Sequence, residues 1–360
     1  MKMIIAGGGT GGHVLPAIAI AKALKKIDSN AKVLFIGTEL GIEKNLVPKA
    51  GFPIEYVKVT GLKGHSIKKQ LQALLAIPSA IFRSIQILRR EKPDALLGVG
   101  GYASGPALLA AFLLRVPSAL LEPNSIPGFT NRILAPFVRH IFGAFHKTAH
   151  YFPKKRFSVV GSPMNDSFQL LKDQLQRPKK PFRLLVLGGS LGAKALNNTL
   201  PKTVALLKDH GINMQITHQT GQNDIEKVKK AYETLGFMVD VRPFIDNMAE
   251  VYQTTNLIVC RSGAGTCAEI TAMGIPAILV PFPHAIYDHQ TENAIELTNA
   301  NCAVLMPQNQ MTPESLSETI LELIKNPKRL ESMSQNAFKI AKTSAAEEIA
   351  KAACNLFQPI

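Results

Sequence analysis

The sequence predicts an α/β protein with two Rossmann-like, doubly wound parallel-sheet domains that face each other across a cleft. Short apolar runs alternate with helix-length amphipathic segments along almost the whole chain, which is typical of parallel sheets covered by helices. The series begins again after a polar, proline-rich break at residues 176–181. A length of 360 residues also suits two domains. Ligands are expected beyond the carboxyl ends of the strands.

Apolar runs bounded by glycine, proline or polar turns predict the individual strands. In the first half they cover residues 3–6, 33–36, 54–59, 95–97, 118–121, 140–145 and 157–160. In the second half they cover residues 183–187, 214–217, 238–241, 257–260, 277–280 and 303–306. Helices are expected between the strands, notably at residues 193–207, 266–273 and 314–324.

The domain boundary is predicted at Gly161-Ser162-Pro163, where a strand runs into a turn and proline restricts the preceding residue. The resulting domains are residues 1–163 and residues 164–338. Residues 339–360 are expected to form a C-terminal helix that returns to the first domain.

Charge is distributed unevenly along the chain. Residues 1–160 contain 22 Lys and Arg against 7 Asp and Glu, whereas residues 161–360 contain 19 of each. The whole net charge of +15 therefore lies in the first half. This predicts an anionic partner for that half, either a nucleic acid or an anionic membrane surface. No RNA- or DNA-binding motif is present in the sequence, so no nucleic acid is expected as a partner.

The cysteines and the N-terminus indicate a cytoplasmic protein. No CxxC pair or zinc-type His spacing accompanies the cysteines, so they are expected to be reduced structural thiols: Cys260, Cys267, Cys302 and Cys354. The first strand runs straight into glycines, which leaves no room for a signal peptide. The longest nearly apolar stretch, residues 103–114, is shorter than the roughly 20 residues that span a bilayer. Any membrane contact is expected to be peripheral.

Glycine-rich junctions between a strand and a helix predict phosphate binding. Glycine lets the backbone approach a ligand closely, and the N–H groups at a helix start bind phosphate. Such junctions occur at residues 7–12, 98–106 and 188–193, which predicts two phosphate-bearing ligands, one for each domain. The Gly7-x-Gly9-x-x-Gly12 pattern also matches the dinucleotide fingerprint, so a nicotinamide dehydrogenase is an alternative. The GxxxxGKS/T pattern of P-loop nucleotidases is not present.

Five motifs that occur in order along the chain narrow the function. They are Gly-Gly-Thr-Gly-Gly-His-Val-x-Pro at 8–16, Gly-Gly-Tyr-Ala-Ser-Gly-Pro at 100–106, Gly-Gly-Ser-x-Gly-Ala at 188–193, Phe-Ile-Asp-x-Met at 244–248 and Cys-Arg-Ser-Gly-Ala at 260–264. Together they resemble the MurG-type transferases of glycosyltransferase family 28.

The resemblance implies a GT-B fold and a UDP-GlcNAc-dependent hexosyltransferase without a cofactor. Such an enzyme moves GlcNAc, with inversion, from UDP-GlcNAc to the 4-hydroxyl of undecaprenyl-diphosphate-MurNAc-pentapeptide, which turns lipid I into lipid II in peptidoglycan synthesis. The implied location is the cytoplasmic face of the bacterial inner membrane. Proteins of cell-wall synthesis are implied as possible partners. A related GT-B transferase with another lipid acceptor is the nearest alternative.

The resemblance places UDP-GlcNAc mainly on the second domain. The hydroxyl and backbone N–H of Ser190 would bind the donor diphosphate. The same diphosphate, and the sugar, would meet the helix start formed by Ala264, Gly265 and Thr266. As an ordinary residue Ser190 would cap the helix, which is compatible with phosphate binding.

The resemblance also implies how the uridine and the sugar are held. Ile245 would pack on uracil and pair with it through the backbone, and Glu269 would accept hydrogen bonds from the ribose hydroxyls. Gln290, helped by His289 and Asn293, would recognise the 3- and 4-hydroxyls of the sugar, because amides both donate and accept. The plain alternatives are a core position for Ile245 and an exposed first-turn glutamate for Glu269.

In the first domain the resemblance implies a set of residues near the diphosphates and the acceptor: Thr10, Gly11, Gly12, His13, Glu122 and Asn124. His13 is the candidate base, because imidazole can remove the proton of the acceptor hydroxyl near neutral pH. Glu122 is an alternative base or an acceptor-site carboxylate. Asn124 is expected to contact the substrate.

The sequence departs from the family pattern at two places. Leu121 and Pro123 replace the usual His and Gln around Glu122, and Asn165 stands where the family usually has an arginine near the nucleotide. Arg261 or the helix dipoles would have to supply the missing charge. No DxD carboxylate pair is present in the sequence, so no metal is expected. Helix N-termini and backbone N–H groups are expected to stabilise the leaving diphosphate instead.

Residues 62–92 combine an apolar stripe with flanking cations. The apolar residues at helical spacing are Ile67, Leu71, Leu74, Leu75, Ile81, Phe82, Ile85 and Leu88, and the cations are Lys63, Lys68, Lys69, Arg83, Arg89, Arg90 and Lys92. Pro78 is expected to kink or divide the segment. The stripe could simply pack on the sheet. Together with the basic first half and a lipid-linked acceptor, it favours docking on an anionic membrane surface.

Overall fold

The computed structural model describes residues 1–59, 67–168, 175, 177 and 180–356, with side chains of residues 67–74 and 356 excepted. The chain divides into two compact units. The N-terminal unit comprises Met1–Asn165 together with the C-terminal segment that starts at Thr343, and the C-terminal unit comprises Asp166–Lys342.

Within the described residues, the N-terminal unit contains a seven-stranded parallel sheet in the order β3-β2-β1-β4-β5-β6-β7. Its strands are β1 (Lys2–Ala6), β2 (Lys32–Gly37), β3 (Ile54–Tyr56), β4 (Ala95–Gly98), β5 (Ser118–Glu122), β6 (His140–Gly143) and β7 (Phe157–Val159). The helices between them are α1 (Gly11–Ile27), α2 (Glu43–Lys49), α3 (Ile67–Glu91), α4 (Ser104–Leu113) and α5 (Phe129–Leu134). Short 3-10 turns follow at Ala135–Phe137, His146–Tyr151 and Lys154–Arg156.

The described part of the C-terminal unit contains a six-stranded parallel sheet in the order β10-β9-β8-β11-β12-β13. Its strands are β8 (Phe182–Leu187), β9 (Met214–Gln219), β10 (Asp240–Arg242), β11 (Leu257–Cys260), β12 (Ala277–Leu279) and β13 (Ala303–Leu305). Its helices are α6 (Lys194–Asp209), α7 (Ile225–Thr234), α8 (Met248–Thr254), α9 (Ala264–Ala272), α10 (His289–Asn299), α11 (Pro313–Lys325) and α12 (Pro327–Ile340). Short 3-10 turns occur at Ile286–Asp288 and Gln308–Gln310.

The last helix, α13 (Ala345–Leu356), belongs to the N-terminal unit, where it packs against α1. Its residues Ile349 and Ala353 are buried in the same core cluster as Met3 and Ile5 of β1. The alternate residues of β1 face the other side of the sheet and join a second cluster with α4. Both faces of the sheet are therefore covered, which explains why the strands are almost continuously apolar.

Every strand that the sequence predicts is present in the part of the chain that the structure describes, with ends shifted by at most three residues. The prediction of doubly wound parallel sheets is confirmed. In each sheet the strand order reverses beside the first strand, between β1 and β4 and between β8 and β11. The loops that follow these neighbouring strands are therefore brought side by side, which is where ligands bind in open parallel sheets.

The sequence predicts that Pro78 kinks or divides the 62–92 segment; a division is wrong, because α3 runs through Pro78 as one helix from Ile67 to Glu91. Burial of Ala80, Ile87 and Leu88 in the core holds the C-terminal part of α3 in place despite the hydrogen bond that proline cannot donate. The predicted stripe positions Ile67, Leu71 and Leu74, and the predicted cations Lys63, Lys68 and Lys69, lie outside the side chains that the structure describes.

The cysteines are free thiols in this structure, and Cys260, Cys267 and Cys302 are buried. Among the described residues, none of the helices has both the length and the apolar character needed to cross a bilayer.

Candidate functional site

The turns that follow β1 and β4 are packed directly against each other. The Gly8 N–H donates a hydrogen bond to the Gly100 carbonyl oxygen at 3.3 Å. A Cβ atom at Gly101, where φ is +78°, would lie 2.1 Å from the Gly8 carbonyl oxygen. Glycine is therefore required for this approach of one backbone to the other. The contact brings both turns together at the carboxyl edge of the N-terminal sheet.

His13 lies in the first turn of α1, and its ring packs on the turn after β4. Its Nδ1 atom is 2.9 Å from the Val99 carbonyl oxygen. Because a carbonyl oxygen only accepts, Nδ1 carries the hydrogen in this bond, and Nε2 of the neutral ring then has the lone pair. A Cβ atom at Gly100 would lie 2.6 Å from the imidazole, so glycine there makes room for the ring. The imidazole is held in a tautomer that can accept a proton.

The start of α1 is suited to an anion. Thr10 is its exposed N-cap residue and makes no side-chain capping bond. Gly11 and Gly12 supply the first N–H groups of the helix, which have no partner within the helix and carry the positive end of its dipole.

Glu43, to which no sequence motif points, supports the turn after β1. This buried carboxylate accepts hydrogen bonds from the Gly9 N–H at 2.7 Å and from the Thr38 N–H and hydroxyl at 2.9 and 2.8 Å. Cβ atoms at Gly8 and Gly41 would lie within 2.1 Å of it. No spacing in the sequence connects Gly8 and Gly9 to a carboxylate at position 43, because only the pairing of β1 with β2 brings them together.

Glu122 has a comparable role at the end of β5. It is buried, and its carboxylate accepts hydrogen bonds from the Asn124 N–H and the Gly128 N–H, each at 3.0 Å, and from Asn131 Nδ2 at 2.8 Å. Burial raises the pKa of Glu122 above its usual range. Its oxygens are thus engaged by the loop that contains Asn124, which fits a residue that shapes this loop better than a solvent-facing base.

In the C-terminal unit, the turn after β8 fits closely against the end of β9. A Cβ atom at Gly192, where φ is +79°, would lie 1.9 Å from the Thr220 carbonyl oxygen. Ser190 is exposed in this turn, ahead of the α6 helix that begins at Lys194. The turn and the helix start therefore lie at the carboxyl edge of the C-terminal sheet.

The second helix start in this unit follows β11. Gly263 is the N-cap residue of α9, and Ala264, Gly265 and Thr266 form its first turn, so their N–H groups point out of the helix N-terminus. Because β8 and β11 are neighbours, the starts of α6 and α9 lie at the same edge of the sheet.

Glu269 lies one turn further along α9 and is not exposed. The Tyr252 hydroxyl donates a hydrogen bond to its Oε2 atom at 3.1 Å. Burial raises the pKa of Glu269 to about 7. The alternative of an exposed first-turn glutamate is therefore wrong, because α9 begins at Ala264 and Glu269 lies in its second turn, where it accepts a hydrogen bond from Tyr252 of α8.

Ile245 is buried, as its apolar side chain suggests, and its backbone is already engaged. The Ile245 N–H donates to Oε1 of Gln219 at 2.9 Å. Because the Ile245 N–H is bonded to Gln219, the predicted pairing of uracil with this backbone would fall to the Ile245 carbonyl oxygen.

The start of α10 is tied to the loop that precedes α9. Asn293 Nδ2 donates to the Ser262 carbonyl oxygen at 3.1 Å, and the Ser262 hydroxyl donates to the Gln290 carbonyl oxygen at 2.7 Å. Oε1 of Gln290 accepts from the Phe282 N–H at 2.9 Å. Asn293 is thus a buried structural tie, whereas His289 is partly exposed with Nδ1 2.8 Å from the backbone of Ile286.

Arg261, the cation that could replace an arginine at position 165, is engaged elsewhere. Its guanidinium donates to the carbonyl oxygens of Val280 and Pro281 at 3.0 and 2.9 Å and to Gln308 at 2.6 Å. Burial lowers its pKa. These bonds join the loops after β11, β12 and β13.

The predicted residues fall into two sets, each at the carboxyl edge of its own sheet. The N-terminal set follows β1 and β5: Thr10, Gly11, Gly12, His13, Glu122 and Asn124. The C-terminal set follows β8, β10, β11 and β12: Ser190, Ile245, Ala264, Gly265, Thr266, Glu269, His289, Gln290 and Asn293. The described residues contain no group of His, Cys, Asp or Glu arranged to hold a metal ion.

Sequence comparison identifies the family. Residues 3–143 match the glycosyltransferase family 28 N-terminal domain, and residues 183–351 match the glycosyltransferase family 28 C-terminal domain. The chain belongs to glycosyltransferase family 28. This confirms the resemblance found in the motifs, and the two parallel sheets are those of its GT-B-like fold.

Several individual proteins are similar to this family 28 chain. A Myxococcus xanthus protein named UDP-N-acetylglucosamine--N-acetylmuramyl-(pentapeptide) pyrophosphoryl-undecaprenol N-acetylglucosamine transferase is 44% identical, over 99% of this chain and 93% of its own length. The crystal structure of Acinetobacter baumannii MurG superposes with a TM-score of 0.80 at 34% identity, covering 98% of this chain and 99% of that one. The Neisseria meningitidis UDP-GlcNAc 2-epimerase, at 16% identity and a TM-score of 0.70 over 99% of this chain and 100% of its own, shares the fold.

Replacing Glu43 with alanine should destabilise the family 28 N-terminal unit. The Gly9 and Thr38 donors lose their acceptor, and each unsatisfied donor costs about 1–3 kcal/mol, so we expect a loss of about 3 kcal/mol in urea denaturation. Glu39→Ala is the matched control, because Glu39 is exposed on the same stretch of chain. Equal unfolding midpoints for the two variants would contradict the supporting role of Glu43.

The partly buried Glu269 should make stability depend on pH. Its pKa of about 7 lies above its ordinary value of 4.5, so the folded protein retains a proton that the unfolded chain releases between these values. The stability of the wild type should therefore fall as pH rises through this window. Relative to wild type, Glu269→Gln should gain up to about 3 kcal/mol between pH 4.5 and 7.5 in urea denaturation. A difference in stability between Glu269→Gln and the wild type that is constant with pH would contradict the raised pKa of Glu269.

Proposed function

We propose that this chain transfers GlcNAc from UDP-GlcNAc to the 4-hydroxyl of MurNAc in undecaprenyl-diphosphate-linked MurNAc-pentapeptide, which converts lipid I into lipid II. The observation that carries the proposal is the 44% identity, over nearly the full length of both chains, to a transferase whose name states this reaction. The match to both family 28 domains supports it. The N-terminal unit is proposed to bind the acceptor and the C-terminal unit the donor.

Donor binding rests on the two helix starts at the edge of the C-terminal sheet. The exposed turn at Ser190 and the first turn of α9 at residues 264–266 both present N–H groups without intrahelical partners. Such groups stabilise the negative charge of a diphosphate, and the charge grows when UDP departs. No step requires a metal ion in this scheme.

Glu269 and Gln290 are proposed to hold the sugars of UDP-GlcNAc. A ribose diol that donates to Glu269 would stabilise its ionised form and so compensate for its burial. Oε1 of Gln290 is fixed by the Phe282 N–H, which sets the direction of the amide group that would meet the GlcNAc hydroxyls.

His13 is proposed as the general base, because Val99 fixes the tautomer in which Nε2 accepts a proton. Nε2 takes the proton of the acceptor 4-hydroxyl while the hydroxyl oxygen attacks the anomeric carbon of GlcNAc. The bond between that carbon and the UDP oxygen breaks, and UDP leaves with the electron pair, so the configuration inverts. Glu122 is proposed to keep the Asn124 loop in shape for the acceptor.

The N-terminal unit is proposed to dock on the anionic cytoplasmic surface of the membrane. Large apolar side chains are exposed on α3, α4, α5 and the turn after α5: Leu75, Phe82, Phe112, Leu113, Phe129, Ile133 and Phe137. α4 contacts both α3 and α5, and the rings of Phe112 and Phe137 lie 4.8 Å apart. Exposed apolar groups on a basic unit suit a lipid surface, where the side chains enter the headgroup region and the cations meet the phosphates.

The transfer can be tested with labelled UDP-GlcNAc and a lipid I analogue. We expect a labelled disaccharide lipid and UDP as products, and turnover that persists in excess chelator. A lipid acceptor without MurNAc should give no product. Transfer to that acceptor in preference to the lipid I analogue would instead indicate a related transferase.

The same assay tests the base. His13→Asn should lower kcat by about 100-fold or more, because general base catalysis typically contributes 10²–10⁴-fold. Binding of UDP should stay unchanged, since the donor is proposed to lie on the other unit. His210→Asn, an exposed histidine of the C-terminal unit, is the control. Full turnover by His13→Asn would exclude it as the base.

Membrane docking can be tested by vesicle sedimentation. We expect stronger binding to phosphatidylglycerol vesicles than to phosphatidylcholine vesicles, and weaker binding at high salt. Charge reversal at Lys68 and Lys69 should weaken binding about tenfold or more, because each surface cation contributes roughly 1 kcal/mol. Charge reversal at Lys229 and Lys230 in the C-terminal unit is the matched control. Equal binding to both kinds of vesicle would contradict the proposal.

A further inference from the structure

Gln219, the last residue of β9, joins two loops that the proposed function assigns to different parts of the donor. Its Nε2 donates to the carbonyl oxygen of Gly189 in the turn before α6, at 3.0 Å. Its Oε1 accepts from the backbone N–H of Ile245 at 2.9 Å. One carboxamide thus bridges the turn proposed for the diphosphate and the backbone proposed for uracil.

The chemistry of this bridge suits an amide. The Gly189 carbonyl can only accept and the Ile245 N–H can only donate, so the group between them has to donate at one end and accept at the other. Gln219 is 3% exposed, and a buried amide has to satisfy both ends. These partners fix which end of the carboxamide is oxygen and which is nitrogen.

The strand around Gln219 reinforces the bridge on both sides. Gly188 donates to the Gln219 carbonyl oxygen at 3.3 Å, and Gly221 donates to the carbonyl oxygen of Pro243 at 3.1 Å. A Cβ atom at Gly221 would lie 2.5 Å from the Leu191 carbonyl oxygen. The end of β9 therefore lies between the two loops and contacts each of them, and the Gln219 side chain is the group that reaches both.

We propose that Gln219 is a positioning residue that fixes the diphosphate turn and the uracil-binding backbone relative to each other, so that the protein recognises a uridine diphosphate as a single unit. The proposal rests on the proposed function and deepens it. It follows that a ligand that touches both loops depends on the bridge. A ligand that touches only one of the loops can move with that loop if the loop shifts, so its affinity depends much less on the bridge.

The test compares three ligands on the full chain: UDP, uridine and inorganic pyrophosphate. Gln219→Met keeps the length of the side chain and removes both hydrogen bonds. We expect it to weaken UDP binding about tenfold or more, since both hydrogen bonds that hold the two loops are lost. Uridine and pyrophosphate should each change by less than about threefold. KM for UDP-GlcNAc should rise with little change in kcat, because His13 lies on the other unit.

Two further variants sharpen the result. Gln219→Glu keeps an acceptor for Ile245 but cannot donate to Gly189 and adds a negative charge near the diphosphate turn, so it should weaken UDP binding at least as much as Gln219→Met. Gln215→Met is the matched control, because Gln215 lies four residues earlier on the same face of β9 and is exposed. It should leave all three affinities unchanged.

The outcomes separate this inference from the proposed function. Melting temperatures identify conditions in which each variant is folded, and binding is measured there. If Gln219→Met changes all three affinities by the same factor, or leaves UDP binding intact, the positioning role is wrong. If the wild type itself neither binds UDP nor transfers GlcNAc, the proposed function is wrong.

Discussion

Close contact between backbones at the carboxyl edges of the two sheets is the constraint on which the rest of the structure depends. At Gly101 the backbone of one turn meets the carbonyl oxygen of another at a distance that excludes any side chain, and Gly192 meets Thr220 in the same way. This contact sets the direction in which α1 and α6 leave the sheet edge. It also admits the His13 ring against the turn after β4. Without it, the imidazole would have no fixed position relative to the turn after β4.

Glycine allows this close approach, but it also lets the backbone of the turns adopt other conformations. Buried polar side chains restrict the turns to one of them. Glu43, Glu122 and Gln219 all sit at or beside the carboxyl edge of a sheet, and each collects hydrogen bonds from a loop that it does not belong to or that follows it directly. An unpaired buried donor costs about 1–3 kcal/mol, so these contacts restrict each turn to one arrangement. Glu122, which the sequence suggests as a candidate base, thus supports a loop in the structure, as Glu43 does.

The proposed chemistry follows from this division of tasks. The C-terminal unit supplies helix starts and a largely buried carboxylate, Glu269, which suit a nucleotide sugar. The N-terminal unit supplies an oriented imidazole and exposed apolar groups beside an excess of cations, which suit a lipid-linked acceptor. Each unit repeats one architecture, and the difference between them lies in the side chains that follow the strands.

The sequence by itself determined the two parallel sheets, the positions of the strands and the family, because apolar periodicity and glycine motifs are local signals. It also located the candidate site residues at the loops after the strands. Tertiary structure alone decided that α3 continues through Pro78, that Glu122 is enclosed by its own loop and that Arg261 bonds to the β12 loop. It also revealed Glu43 and Gln219. Gly9 lies 34 residues from Glu43, and Gly189 and Ile245 lie 30 and 26 residues from Gln219; strand order, which no local pattern encodes, brings these partners into contact.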